Sequence, residues 1–244
     1  MKWTIRHYYD FGADAQVIGA SLASDVAWDR LRLDTTLDAF SLPRDRDAWL
    51  RLCEADQEAR RRAHDVARVV VAGRYRTVVS VGVGRAHLEY WLKREQPDLK
   101  LTCLDYTART VGVLRGLFVE CDAMELFDLR TTRWPIRGPD TLYLLCRLDT
   151  ELNNDEWAAV FGRMAVAHID RVLFVATGFI KPRTLVQEAA RHLAGALHLR
   201  RPVFAGYLRT KSAFRQLWRP SYREIAELRV GACSAFLLAN ESVT

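Results

Sequence analysis

No stretch of the 244-residue chain approaches the roughly 20 consecutive apolar residues that cross a bilayer. Met1–His7 also lacks the apolar core of a signal peptide. Both absences predict a cytoplasmic protein with no membrane partner. Cysteine is sparse and scattered: Cys53, Cys103, Cys121, Cys146 and Cys233 include no C-x-x-C pair. That pattern argues against a zinc site and for reduced thiols, with Cys103 and Cys146 in apolar runs where core thiols sit. There is no internal repeat and no low-complexity segment. Nor does one sign of charge dominate: 36 Lys and Arg against 30 Asp and Glu give a net +6, which permits an anionic partner without requiring one.

What is present describes a globular protein, half hydrophobic and 27% charged, long enough for one domain with an elaboration. Residues 1–73 read as a helical N-terminal cap, with short helices before residue 45 and a longer helical pattern from Asp45 to Gly73. Residues 74–244 read as the main domain. Strand-like runs at Thr77–Val81, Leu99–Leu104, Leu142–Cys146 and Arg171–Ala176 alternate with helical segments at Ala86–Arg94, Thr107–Phe118 and Asp155–Ala167. Asn153 and Glu156 have the spacing of a capping box for the last of these helices. Helical segments near Thr184–Leu197 and Lys211–Trp218 follow. Such alternation predicts a parallel sheet covered on both faces. Ile225–Val230 and Cys233–Leu238 are then joined by little more than Gly231, a link that fits a hairpin and no helical crossover.

The stretch Ser80-Val81-Gly82-Val83-Gly84-Arg85-Ala86 follows an apolar strand and opens a helix. Gly82 and Gly84 can take backbone angles closed to other residues and let a ligand approach the main chain. Asp105, 23 positions after Gly82, falls where a neighbouring strand ends and a carboxylate can hold ribose hydroxyls. A nicotinamide or flavin dinucleotide would need a third glycine where His87 stands, which argues against it.

With these residues in place, the chain from about 60 to 240 resembles the class I S-adenosylmethionine-dependent methyltransferases. The resemblance implies an α/β, Rossmann-like fold: a seven-stranded, mostly parallel sheet with an antiparallel final strand and helices on both faces. It implies S-adenosylmethionine as cofactor, held along Ser80, Val81, Gly82, Val83, Gly84, Asp105 and Tyr106, with Tyr106 packing on the adenine. Ser80 stands where the family has an acid that helps place the methionine part, and Ala86 where it has a third glycine. The family's third-strand acid has two candidates. Asp122 leaves 17 residues after Asp105 for a turn, helix and strand; Asp128 leaves 23 and is favoured.

Methyl transfer needs positioning, and a base only if the acceptor must lose a proton. Ligands of open α/β sheets bind beyond the carboxyl ends of the strands, a rim that offers His87, then Arg147-Leu148-Asp149-Thr150-Glu151, then Thr177-Gly178-Phe179. Asp149, Glu151 and His87 are the candidate catalytic groups. The two acids equally suit the positive end of the next helix, and His87 equally suits a helix start. Arg147, whose planar fork can grip a carboxylate or phosphate, and Tyr9 are the candidate substrate residues. Trp28 and Leu31–Asp34 join Tyr9 in the cap that would cover a small-molecule acceptor. The loop after the fourth strand lacks the Asn/Asp-Pro-Pro-Tyr/Phe signature of methyltransferases that act on bases or glutamine. No metal is expected.

Two other readings remain. The basic tract between Arg200 and Arg229 interleaves Phe204, Tyr207, Phe214, Trp218 and Tyr222 and would suit RNA. Phe214 and Trp218 at i and i+4 instead suit a core-facing helix with solvated arginines. A binding protein that has kept the fold without transfer is the third reading.

Overall fold

The computed structural model describes residues 2–10, 41–135, 138–196 and 202–241. Its centre is the expected sheet. Strands β2 (Thr77–Val81), β3 (Lys100–Asp105), β4 (Ala123–Leu126), β5 (Thr141–Cys146) and β6 (Arg171–Val175) run parallel. β8 (Tyr222–Val230) and β9 (Cys233–Asn240) form the closing hairpin around Gly231 and Ala232. The spatial order is β4-β3-β2-β5-β6-β9-β8. Because β9 is antiparallel to both β6 and β8, it alone in this sheet runs against the other six.

Side chains alternate across the central strands, as the twofold period of a strand requires. Val78, Leu101, Leu142, Leu144 and Leu173 join one core cluster with α1 (Arg46–Ala55), α2 (Gln57–Gly73), α3 (His87–Glu95) and α4 (Ala108–Leu117). Val79, Val81, Leu104, Leu145, Val172 and Phe174 join the other with α5 (Asn154–Val166) and α7 (Lys211–Phe214). Trp49 and Cys53 of α1 and Val66 and Val70 of α2 therefore belong to the sheet's own core. The indole of Trp49 donates to the Arg85 carbonyl (2.9 Å), tying α1 to the glycine turn. Asn153 and Glu156 do form the capping box of α5.

Two strands were not expected from the sequence, and β4 was implied by the resemblance without a range of its own. β4 is four residues long. β1 (Thr4–Asp10) stands where short helices were expected, and it pairs antiparallel with β7 (Pro202–Arg209) in a separate two-stranded sheet. The run Thr4-Ile5-Arg6-His7-Tyr8-Tyr9 is rich in β-branched and aromatic residues, which favour a strand once a partner exists. That partner lies about 200 residues away, beyond the reach of any local reading. The final helix is also shorter than expected, ending at Phe214, although Phe214 and Trp218 are both buried. No helix among the described residues is long and apolar enough to cross a membrane.

Candidate functional site

The turn after β2 is the hinge of the site. Gly82 and Gly84 have φ of 69° and 58°, and Ala86 completes the turn at 57°. A Cβ on Gly82 would stand 2.4 Å from Cδ2 of Leu148, so the missing side chain is what keeps the turn clear of the β5 loop. Beyond the strand ends lies a cavity bounded by Val81, Gly82, Gly84, Asp105, Tyr106, Asp128, Arg130 and Arg147. It is thus walled by β2, β3, β4 and β5 at their carboxyl ends.

Asp105 is buried in this wall. One carboxylate oxygen accepts from the Gly84 amide (3.0 Å), and the other from the Thr107 amide and hydroxyl (3.0 Å each). A carboxylate has about four acceptor positions, so three bonds leave capacity for a ligand hydroxyl. Tyr106 is half-buried on the same wall. Asp128 lies just past the end of β4 and is gripped by Arg130 through Nε and Nη2 (3.0 and 3.1 Å). Burial works to raise its carboxyl, but Arg130 outweighs burial and holds it below the usual range. Asp122 sits at the opposite end of the strand, bonded to Lys93 and to the Leu101 amide (2.8 Å each). Of the two third-strand acids, Asp128 is the one on the cavity.

A second cavity adjoins the first and shares Gly82, Cys146, Arg147 and Glu151 with it. His87, Asp56, Arg62, Glu89, His7 and Ala205 are among its walls. His87 opens α3 with its Nδ1 3.0 Å from Asp56, the N-cap of α2. Burial works to raise the Asp56 carboxyl, but the Ala59 amide and His87 outweigh it and hold it low. His7 of β1 meets Glu188 of α6 (Pro182–Ala196) at 2.8 Å.

The candidates after β5 separate. Arg147 is exposed, with φ of 61°, and it and Glu151 border both cavities. Asp149 borders neither. It is wholly buried, and its Oδ1 accepts from the Thr177 amide and hydroxyl (2.7 Å each). Burial raises its carboxyl, with Thr177 opposing. Arg209, also fully buried, donates to the carbonyls of Asp149 and Leu152 and to Asn154 Oδ1, and so clamps this loop. Burial pulls its guanidinium down to about 10.

Ser80 is buried, and its hydroxyl donates to Glu89 of α3 at 2.6 Å. Val81 faces the core, and Val83 lies on the second cavity. Tyr9 is a residue of β1 opposite Val203, but its side chain, like Trp28 and Leu31–Asp34, lies outside the described residues. Of the basic tract, Arg209 serves the core, Lys211 pairs with Glu227, and Arg215 pairs with Glu224 and Glu227. No group of three or more metal-ligating side chains occurs among the described residues.

Sequence reasoning missed Glu89, Asp56, Arg62 and Arg130. Glu89 did leave a signal: it is an acid inside the otherwise apolar run Leu88-Glu89-Tyr90-Trp91-Leu92. Arg130 stands two residues after Asp128 and pairs with it locally, whereas Asp56 and Arg62 gave no signal, since they meet the site only through tertiary packing.

No sequence-family model matches the chain, and no curated protein matches it in sequence. Its fold is nevertheless shared with solved structures. TnmH aligns with a TM-score of 0.57 and 22% identity over 88% of this chain and 61% of its own. Human N-acetylserotonin methyltransferase in complex with SAM aligns at 0.55 and 15% identity, over 96% of this chain and 79% of its own. Mitomycin 7-O-methyltransferase MmcR aligns at 0.55 and 19% identity over the same two shares. This chain therefore spans about three fifths of the length of TnmH. At these identities the likeness establishes the fold.

Proposed function

We propose that this chain, which has the class I methyltransferase fold, is an S-adenosylmethionine-dependent methyltransferase acting on a small-molecule acceptor. The observation that carries the reading is the pair of joined cavities at the carboxyl ends of the strands. One has the glycine turn, Asp105, Tyr106 and Asp128, and the other has titratable side chains. The names of two fold neighbours, N-acetylserotonin methyltransferase and mitomycin 7-O-methyltransferase, support a small acceptor.

When bound, S-adenosylmethionine supplies an electrophilic methyl group. The chain's own residues do the rest. Asp105 offers acceptor capacity to ribose hydroxyls, Tyr106 offers a flat face to a purine, and Asp128 offers a carboxylate to its amino group. Gly82, lacking a Cβ, leaves room at the junction of the cavities. Glu151 borders that junction and is the best-placed group to take a proton from an acceptor hydroxyl. His87, oriented through its Nδ1 contact with Asp56, is the second candidate. Asp149 acts as a positioning residue that fixes Thr177 beside the loop. Arg147 is suited to an acidic group on the acceptor.

The test is turnover. Purified protein with S-adenosylmethionine and a panel of hydroxylated and amino small molecules is expected to release S-adenosylhomocysteine with at least one acceptor. Glu151→Gln should then lower kcat by about 100-fold or more. A protein that binds the cofactor yet methylates no panel member, while methylating RNA, would overturn the small-molecule reading.

A further inference from the structure

The second cavity contains a buried acid and a largely buried guanidinium that do not pair with each other. Glu89 is only 3% exposed and comes from α3; Arg62 comes from α2, with its side chain 11% exposed. Both border the cavity. Arg62 is close enough for its charge to favour the ionised form of Glu89, yet the two form no ion pair. Its Nε is buried without a hydrogen-bond partner, and its Nη1 reaches Glu58 only at 3.8 Å. A buried guanidinium donor left unmet is unusual, because such groups cost stability unless something accepts from them. Glu89, in turn, is held in place by the Ser80 hydroxyl at 2.6 Å.

An acid and a guanidinium on one cavity suit a ligand that brings one charge of each sign. An α-amino acid end does so: its ammonium matches a carboxylate, and its carboxylate matches a guanidinium. This cavity adjoins the first at Gly82 and Arg147, and Asp105 and Asp128 do not line it. Because the two cavities share Gly82, Cys146, Arg147 and Glu151, one ligand can occupy both. Ser80 also lies on the sheet face that α3 covers, so the carboxylate absent from the strand at that position is present on the facing helix.

Resting on the cofactor reading above, we propose that Glu89 and Arg62 together receive the amino-acid end of the cofactor, Glu89 its ammonium and Arg62 its carboxylate. They are positioning residues in this account, and the Ser80–Glu89 pair replaces a strand-borne acid.

The test uses two ligands that differ only at this end. S-adenosylhomocysteine carries the amino acid; 5′-methylthioadenosine lacks it. Calorimetric titration of the native chain, Glu89→Gln and Arg62→Gln is expected to show S-adenosylhomocysteine weakened about tenfold or more in each variant, the scale of a lost charge-assisted contact. Affinity for 5′-methylthioadenosine should stay at the native value in both. If either variant binds S-adenosylhomocysteine as the native chain does, or if both ligands weaken in parallel, the assignment is wrong while the cofactor reading stands. If the native chain binds neither ligand, the cofactor reading falls and takes this assignment with it. The two variants lie on different helices, so a folding defect in one leaves the other to decide.

Discussion

Glu89 couples stability to pH with a sign opposite to that of most surface acids. Burial, opposed by the Ser80 hydroxyl, pushes its carboxyl up from an ordinary 4.5 to about 7. Arg62 from α2 favours the ionised form, while Asp105 from β3 disfavours it. Between those two values the folded chain keeps a proton that the unfolded chain has released. This group's contribution is therefore full below pH 4.5 and declines as pH rises toward 7. Glu89→Gln keeps an acceptor for Ser80 and removes the charge. The variant should be more stable than the native chain at pH 8 by up to about 3 kcal/mol, with the difference closing near pH 4.5. Denaturant titrations at the two pH values check this. A variant that gains stability while losing ligand affinity would mark Glu89 as retained for binding. Arg147 tells a similar story through its backbone. It is exposed and left-handed at φ 61°, so Arg147→Gly should raise stability by up to about 1 kcal/mol. Thermal melting reads that gain, and a raised acceptor KM should accompany it.

At the scale of elements, the central strands were legible because they are buried on both faces and read as continuous apolar runs, such as Val78-Val79-Ser80-Val81. The glycine turn and Asp105 were legible for the same reason, since each follows directly from a strand end. β4 was not, being short and half exposed, although spacing alone favoured the acid just beyond it. β1 and β7 were invisible because their pairing joins the two ends of the chain. Their junction with the site rests on Gly206, at φ 113°, in the bulge where Ala205 has no partner on β1. The neighbouring Tyr207 amide donates to the Thr150 carbonyl at 2.8 Å. A Cβ at 206 would stand 2.0 Å from that same carbonyl oxygen, a backbone atom that cannot swing aside. Gly206→Ala should therefore lift β1 and β7 off the β5 loop and cost about 2 kcal/mol or more. Denaturant unfolding measures the loss, and hydrogen exchange should show it concentrated in β1, β7 and residues 147–152. By contrast, Asn153→Ala removes one cap of α5 and should cost only about 1 kcal/mol.

Across the whole molecule, the site is assembled from pieces that no single window of sequence contains. His7, Asp56, Glu89, Glu151 and Ala205 come from five separated segments, yet all border one cavity. That dispersion is why motif reading found the strand-end wall and, of the second cavity, only rim residues such as His87, Arg147 and Glu151, without Asp56, Arg62 or Glu89. The wall is a strand-end feature with fixed spacing, whereas the second cavity depends on how β1, α2 and α3 pack over the rim. The central claim is that this wall takes an S-adenosyl group, and calorimetric titration with S-adenosylhomocysteine tests it most directly. The native chain should bind in the micromolar range, and Asp105→Asn, assayed well below its melting transition, should bind at least about tenfold more weakly. NADH should not bind to either. Absence of binding by the native chain, or binding of NADH in place of S-adenosylhomocysteine, would contradict the account.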